Sequence, residues 1–395
     1  MKQLRDVLII DAVRTPIGSF QGALAAVPAP KLGALMVKSL IERNKLNPEA
    51  VDEVIMGNVI ATGEGQSPAR QAALFGGLPQ SVQTMTINKV CGSGLKSVML
   101  AAQAIQVGDA NIIIAGGMES MSNVPYILPK ARDGYRLGHS QVLDGIIVDG
   151  LWDVYSQVHM GSCAEGVAKD EKLTREEMDE FAKMSYERAQ AATANGAFKD
   201  EIIPVLIPQK KGDPILVEID EEPTRANFAK MASLRPAFEK DGVITAANAS
   251  KINDGASATL IMSAEKAEEL GYRPMAKVIA QASAAHAPEK FASAPLLAIE
   301  KVLKKAGLTA DEIDLWEINE AFAHVAFLPM RKFNIPKEKV NINGGAIAMG
   351  HPIGASGARV LTTLLHAMNK QECRYGLASL CIGGGEAVAL IVEKL

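Results

Sequence analysis

The chain comes close to repeating itself. A helix-like run at Leu35–Arg43 leads into Leu46-Asn47-Pro48-Glu49-Ala50-Val51-Asp52-Glu53-Val54. A second, at Ala298–Ala306, leads into Leu308-Thr309-Ala310-Asp311-Glu312-Ile313-Asp314-Leu315. Asn58 and Asn319 close the strand-like runs that follow, and Cys91 and His351 come later at almost the same offset. Each of these two precedes a small-residue turn and a helix-like stretch, Gly94–Val107 and Ala355–Asn369. After each helix comes a strand-like run ending in glycines, Ala115-Gly116-Gly117 and Cys381-Ile382-Gly383-Gly384-Gly385. An internal repeat fixes the architecture before any single residue is read. Two like halves pair about a pseudo-twofold axis, and their matching helix N-termini then face one shared site.

Strand-like and helix-like runs alternate, which predicts an α/β fold. Val7–Asp11, Val54–Met56, Asn111–Ala115, Met275–Ile279, Leu315–Ile318 and Gly376–Leu380 read as strands. Pro30–Asn44, Gly94–Val107, Thr174–Asn195, Pro295–Ala306 and Ala355–Asn369 carry apolar residues at helical spacing. The first half is assigned to residues 1–120 plus 251–270 and the second to 271–395. Residues 121–250 match neither half. They are expected to form an inserted loop domain for substrate binding and subunit contacts. The charge run 170–180 reads as a solvated helix face.

Of 395 residues, 48% are hydrophobic and 22% charged, enough for a large core and too apolar for disorder. A net charge of -4 without a long basic run argues against a nucleic-acid partner. No apolar stretch reaches the ~18–20 residues of a spanning helix, so no membrane is expected. Strand-like sequence begins at Val7, leaving no room for a signal peptide, and the C-terminal Glu393-Lys394-Leu395 is not a peroxisomal address. The cysteines (Cys91, Cys163, Cys373 and Cys381) are widely spaced and form no C-x-x-C pair. Reduced thiols and a cytoplasmic location are the expectation.

Three segments carry the chemistry: Asn88-Lys89-Val90-Cys91-Gly92-Ser93-Gly94, Gly350-His351-Pro352-Ile353-Gly354 and Cys381–Gly385. A thiol before a helix N-terminus gains from the partial positive charge there, which favours the thiolate. The flanking glycines clear space and leave N–H groups for an oxyanion. The competing reading of Cys91 is a buried structural cysteine. His351, walled by small residues, can serve as base to a neighbouring thiol, or be a packed turn histidine. Cys381 can move a proton on carbon, or simply end a strand. Asn319 can hold a water in an oxyanion hole and Glu320 can orient His351, with capping or turn bonding as the alternative for each. His159 is equally a packing residue or a ligand contact. The third glycine of a dinucleotide-binding turn is missing after Gly94, and neither a phosphate loop nor an H-E-x-x-H zinc helix occurs. Cys91, His351, Cys381 and His159 lack metal-like spacing.

With these segments together, the whole chain resembles the thiolase family, of the acetyl-CoA C-acetyltransferase type. Asp11-Ala12-Val13-Arg14-Thr15-Pro16-Ile17-Gly18, Gly116-Gly117-Met118-Glu119-Ser120-Met121-Ser122, Asn319-Glu320-Ala321-Phe322-Ala323 and Asn343–Gly354 add to the match. The resemblance implies duplicated α/β halves in five layers, αβαβα, with an inserted loop domain. It implies reversible condensation of two acetyl-CoA to acetoacetyl-CoA and CoA through an acyl-Cys91 intermediate. The alternative is a broader-range 3-ketoacyl-CoA thiolase of fatty-acid β-oxidation. By resemblance, His351 activates Cys91 and Cys381 moves the proton on carbon. The N–H groups of Cys91 and Gly383 hold one oxyanion; His351 and a water on Asn319 hold the enolate. Coenzyme A contacts carry over to His159, Arg225, Phe238, Ser250, Ala321 and Phe322, with Phe291 shaping the acyl pocket. No metal or resident cofactor is implied, since the coenzyme A thioesters are substrates. A homotetramer or homodimer is implied. A condensing enzyme of fatty-acid synthesis would pair one cysteine with two histidines, which Cys381 argues against. The intact Cys91, His351 and Cys381 argue against a catalytically silent acyl-CoA-binding protein.

Overall fold

A computed structural model describes residues 4–371 and 373–395. The strands of its large sheet are β1 (Val7–Arg14), β2 (Glu53–Gly57), β3 (Gln83–Ile87), β4 (Ile112–Ser120), β5 (Asn253–Ser263), β6 (Ala276–Ala285), β7 (Leu315–Ile318), β8 (Tyr375–Ile382) and β9 (Glu386–Lys394). They lie in the order β3-β2-β4-β5-β1-β6-β9-β8-β7, with the short strand Gly18–Ser19 added beside β5. Outward from the β1/β6 seam, the two sides match. The sequence β1-β5-β4 and its counterpart β6-β9-β8 are antiparallel throughout; β2 then joins β4, and β7 joins β8, in parallel. Even the irregularities correspond. β1 shifts register against β5 between Ile9 and Asp11, and β6 shifts against β9 between Val278 and Ala280. The seam itself is only two pairs long, Leu8↔Lys277 and Ile9↔Ala276, so the sheets of the two halves join at one edge.

The main helices are α1 (Ala29–Asn44), α2 (Pro68–Phe75), α3 (Ser93–Val107), α4 (Met160–Asp170), α5 (Arg175–Ala194), α6 (Ala294–Ala306), α7 (Ala323–Phe333) and α8 (Ile353–Gln371). Side-chain alternation along the strands sorts them into layers. Leu8, Ile10 and Val13 of β1 join Leu32, Met36 and Leu40 of α1 in an outer core. Val7 and Ile9 face the other way, into a central core with Leu95 and Val98 of α3, Leu361 and Leu364 of α8, and Leu380 and Ile382 of β8. Ala387, Ala389 and Ile391 of β9 close a second outer core with Ala298 and Val302 of α6 and Val325 of α7. Helix, sheet, paired helices, sheet, helix: this is the αβαβα stack. Each fully buried Leu contributes ~2 kcal/mol to it.

At the centre, the α3 and α8 backbones touch. A Cβ on Gly357 would sit 2.2 Å from the Leu95 nitrogen, and one on Gly94 2.6 Å from the Ala358 nitrogen. Only glycine permits this approach, and it brings the N-terminal ends of both helices to one place.

Residues 121–252, between β4 and β5, add no strand to the large sheet; their strands pair in two-stranded ribbons, and single bridges tie Ile202 to Arg14 of β1 and Ala249 to Phe322. Their helices α4 and α5 pack on the second half, through Ala164, Val167, Phe181 and Ala182 in the outer core around α6 and α7. The charge run 170–180 is not one helix face. It spans the turn between α4 and α5, where Asp170 pairs with Lys290 and Glu171 with Arg331, both in the second half. Thr174 and Glu177 close a capping box that starts α5.

Candidate active site

Cys91 sits on a tight turn just ahead of α3. Val90 before it has φ +46°, a left-handed conformation that β-branched residues rarely adopt, costing ~1–3 kcal/mol. Local bonds hold that strain. The Ser93 hydroxyl donates to the Val90 carbonyl at 2.7 Å and accepts the Lys89 N–H at 2.8 Å, and the Val90 N–H donates to Asn88 Oδ1 at 2.9 Å. Lys89 also pairs with Glu386 across the halves. Burial pushes the Cys91 thiol up to about 11, against the opposing pull of the backbone N–H groups of Gly383 and Cys91 itself.

His351 precedes α8. Its backbone N–H donates to Asn253 Oδ1 at 2.9 Å, and its Nδ1 lies 2.6 Å from the Ser356 hydroxyl. That hydroxyl donates its single proton to the Pro352 carbonyl at 2.9 Å, so Nδ1 must be the donor to Ser356. Nε2 is left as a bare acceptor, with no protein partner. Burial pushes His351 down to about 3, so the ring is neutral at physiological pH. Glu320, expected to orient His351, does not touch it. Its carboxylate accepts from the Ser185 hydroxyl (2.6 Å), Asn341 Nδ2 (2.7 Å) and the Ile347 N–H (3.2 Å). These bonds turn Glu320 toward α5 and the segment from Asn341 to Ile347.

Cys91, His351 and Gly383 share one cavity, and His159, Phe238, Ser250, Ala321, Phe322 and Phe291 line it too. Aromatic rings build one wall. His159 stacks on Phe238 at 4.8 Å, and Phe322 meets Phe238 and Phe291 edge-on at 6.2 and 6.1 Å. The ring of His159 is fixed from below, since its Nδ1 caps α4 by accepting the Gly161 N–H at 3.0 Å. Cys381 and Asn319 are not among the lining residues; both are fully buried. Burial raises the Cys381 thiol, and the nearby Cys91 raises it further. The side-chain amide of Asn319 has no hydrogen-bond partner in the protein.

Arg225 is not brought to this cavity. Pro223–Arg225 forms a helical turn that aims the guanidinium back at Glu221, 3.4 Å away, beside a separate hollow. Sequence reading assigns no role to Ser356 or Glu119, although Glu119 lies within the matched Gly116–Ser122 segment. Glu119, buried, accepts from Asn58, Val59, Ile60 and the Gly354 N–H at the start of α8, and so ties the first half to the second. Burial pushes it up to about 7 against those donors. Met160, Lys251, Ile252 and Ile353 also line the cavity without having been singled out. A serine five residues after a turn histidine is the nearest thing to a readable clue among these. No cluster of His, Cys, Asp and Glu among the described residues is arranged to hold a metal ion.

Comparison with known proteins gives the family. The thiolase N-terminal domain matches residues 7–265 and the thiolase C-terminal domain residues 272–394. The chain is a thiolase. A curated thiolase relative, the acetyl-CoA acetyltransferase of Cupriavidus necator, is 54% identical over 99% of this chain and 100% of its own length. The acetyl-CoA acetyltransferase of Yarrowia lipolytica is 50% identical over 100% of this chain and 98% of its own. Among solved structures, a thiolase of Ascaris suum in complex with coenzyme A superposes with a TM-score of 0.95. It is 44% identical, covering 99% of this chain and 100% of that one. The two thiolase domains divide the chain between β5 and β6, where the repeat divides it. No described helix of this thiolase is long and apolar enough to cross a membrane.

Proposed function

We propose that this thiolase is an acetyl-CoA acetyltransferase, condensing two acetyl-CoA to acetoacetyl-CoA and CoA and running in reverse as a thiolysis. The observation that carries the reading is the shared cavity of Cys91, the bare Nε2 of His351 and the Gly383 N–H. In the first half-reaction the Cys91 proton passes to His351 Nε2, and sulfur bonds to the acetyl carbon. The oxyanion is met by the N–H groups of Cys91 and Gly383. CoA leaves as its thiolate, and the proton stays on His351 Nε2. In the second half-reaction Cys381, having lost its proton to the departing CoA thiolate, takes a proton from the methyl of another acetyl-CoA. The enolate oxygen is held by the protonated Nε2 of His351 and by a water on Asn319; the carbon attacks acetyl-Cys91, and the released sulfur takes the proton back from His351. Each such donor is worth ~3 kcal/mol in the transition state.

The aromatic wall of His159, Phe238, Phe322 and Phe291 supports a pantetheine path leading to Cys91, with Ser250 and Ala321 along it. Proton transfers close without a resident cofactor or metal. The chain is assigned to the cytoplasm, as a homotetramer. Exposed Tyr126, Leu128, Leu137 and Tyr155 of the inserted segment supply apolar surface for subunit contacts.

The deciding experiment incubates the protein with acetyl-CoA alone and maps the adduct by mass spectrometry. Acetylation on Cys91, followed by acetoacetyl-CoA release, is expected. Absence of acetylation with the fold intact sinks the reading.

A further inference from the structure

Lys251 lines the cavity that holds Cys91, yet its ammonium makes no salt bridge among the described residues. Its Nζ donates instead to two uncharged oxygens, the Tyr186 hydroxyl and, at 2.8 Å, the Ile347 carbonyl. A half-buried ammonium held by neutral acceptors is costly unless it organises something. Burial lowers its pKa, while Glu222 and Glu320 act on it from beyond contact distance and raise it.

What it organises is the approach to His351. The Ile347 peptide is gripped at both ends: its N–H donates to Glu320 at 3.2 Å and its carbonyl accepts from Lys251. The Lys251 carbonyl accepts the His351 N–H at 3.2 Å, so one residue holds the segment at Ile347 and again at His351. The segment carries the single helical turn Ala346–Met349, capped by Gly350, which at φ +109° donates its N–H to the Ala346 carbonyl at 2.9 Å. The other end of the grip, Tyr186, stands on α5 next to Ser185, whose hydroxyl bonds both Glu320 and the Gly345 N–H. The neighbour Ser250 lines the cavity as well.

We infer that Lys251 is a positioning residue, its ammonium clamping the 346–350 turn so that Nε2 of His351 stays aimed at Cys91. The inference rests on the acetyltransferase reading. The clamp works through charge, because a neutral chain of equal length fills the space but donates nothing to Ile347.

Steady-state condensation by wild type, Lys251→Met and Lys251→Ala separates charge from packing. Lys251→Met is expected to lose ~10–100-fold in kcat, the scale of an ångström's misplacement of a reacting group. Its KM for acetyl-CoA should stay within ~3-fold and its melting temperature close to wild type. In Lys251→Ala, added propylammonium should restore part of kcat while 1-propanol, equal in shape, should not. Full kcat in Lys251→Met, or equal rescue by the alcohol, overturns the clamp. Should neither lysine variant fold, Tyr186→Phe decides. A fall in kcat at unchanged KM supports the clamp, and wild-type kcat overturns it. A wild-type protein inert toward acetyl-CoA would instead sink the acetyltransferase reading, a result no clamp variant can mimic.

Discussion

The hydroxyl of Ser356 stands 2.6 Å from Nδ1 of His351 and spends its own proton on the Pro352 carbonyl, 2.9 Å away. That relationship selects one tautomer. With Nδ1–H committed to an oxygen that has no proton left to give, Nε2 keeps its lone pair for a thiol. Ser356→Ala therefore leaves the ring free to flip or to protonate on the wrong nitrogen. Condensation is expected to fall ~10–100-fold, the worth of ~1.5–3 kcal/mol of orientation. A 15N spectrum of the ring should show the second tautomer appearing. Unchanged kcat with a single tautomer in the variant would remove Ser356 from the mechanism.

The thiol and the imidazole are both neutral at rest. Cys91 is held up to about 11 and His351 down to about 3, in each case chiefly by burial, so neither group titrates between those values. In the free enzyme, the thiolate fraction must then climb with pH. Alkylation of Cys91 by iodoacetamide should rise about tenfold per pH unit between about 7 and 10, since each unit below the thiol pKa costs a factor of ten. Levelling off with a midpoint below about 8 would mean a preformed thiolate–imidazolium pair. A helix N-terminus next to a cysteine predicts a lowered thiol pKa. The structure reverses that direction because enclosure by apolar walls outweighs a helix end and two N–H groups.

Two glycines beside the sulfur make opposite predictions. A Cβ on Gly92 would lie 2.4 Å from Ile382 Cδ1 and 3.1 Å from Val388 Cγ2, so either Ile382 or the turn carrying Cys91 must shift. A Cβ on Gly383 meets only Val90 and Met160, at 3.6 and 3.7 Å. Gly92→Ala is expected to destabilise by ~1–3 kcal/mol through overpacking and to cut condensation sharply. Gly383→Ala keeps its N–H and should melt within a few degrees of wild type. Thermal denaturation of the pair checks this, and equal melting temperatures would contradict it.

The halves are legible in the sequence because duplication repeats an order of elements, and order survives when side chains change. Strands β5 and β9 are not, for different reasons. β5 reads Asn253-Asp254-Gly255-Ala256-Ser257-Ala258-Thr259, small and polar, because Ser257 and Thr259 face inward and bond the Val13 and Ala115 carbonyls at 2.9 Å. Such a strand has no apolar alternation to read. β9 follows the glycine turn so closely that its apolar run looks like the end of the chain. Cys91, His351 and Cys381 announce themselves through their glycines, whereas Ser356 and Lys251 act through bonds to residues the sequence does not place beside them. Glu320 shows the converse: its position beside Asn319 suggests His351 as a partner, but Ser185, Asn341 and the Ile347 N–H hold its carboxylate instead.

Asn319 and Cys381 separate the two half-reactions. Both are fully buried and outside the cavity lining, and the Asn319 amide has no protein partner. If they serve only the carbon–carbon step, acetylation of Cys91 should proceed without them. Cys381→Ser should acetylate from acetyl-CoA at close to the wild-type rate yet condense ~100-fold or more slowly, because a buried serine hydroxyl gives up its proton far less readily than a thiol and leaves no base for the carbon acid. Asn319→Ala should likewise acetylate, and lose ~100-fold in condensation with the enolate deprived of one donor. Cys91→Ser, by contrast, should fail at the first step. Rapid-quench measurement of the acetyl-enzyme resolves the steps, and a Cys381 variant that condenses at full rate would reassign the proton on carbon to His351. The raised Cys381 thiol suits proton transfer on carbon. Burial and Cys91 hold it well above its ordinary range, so once deprotonated it is a stronger base toward a methyl group than any exposed cysteine.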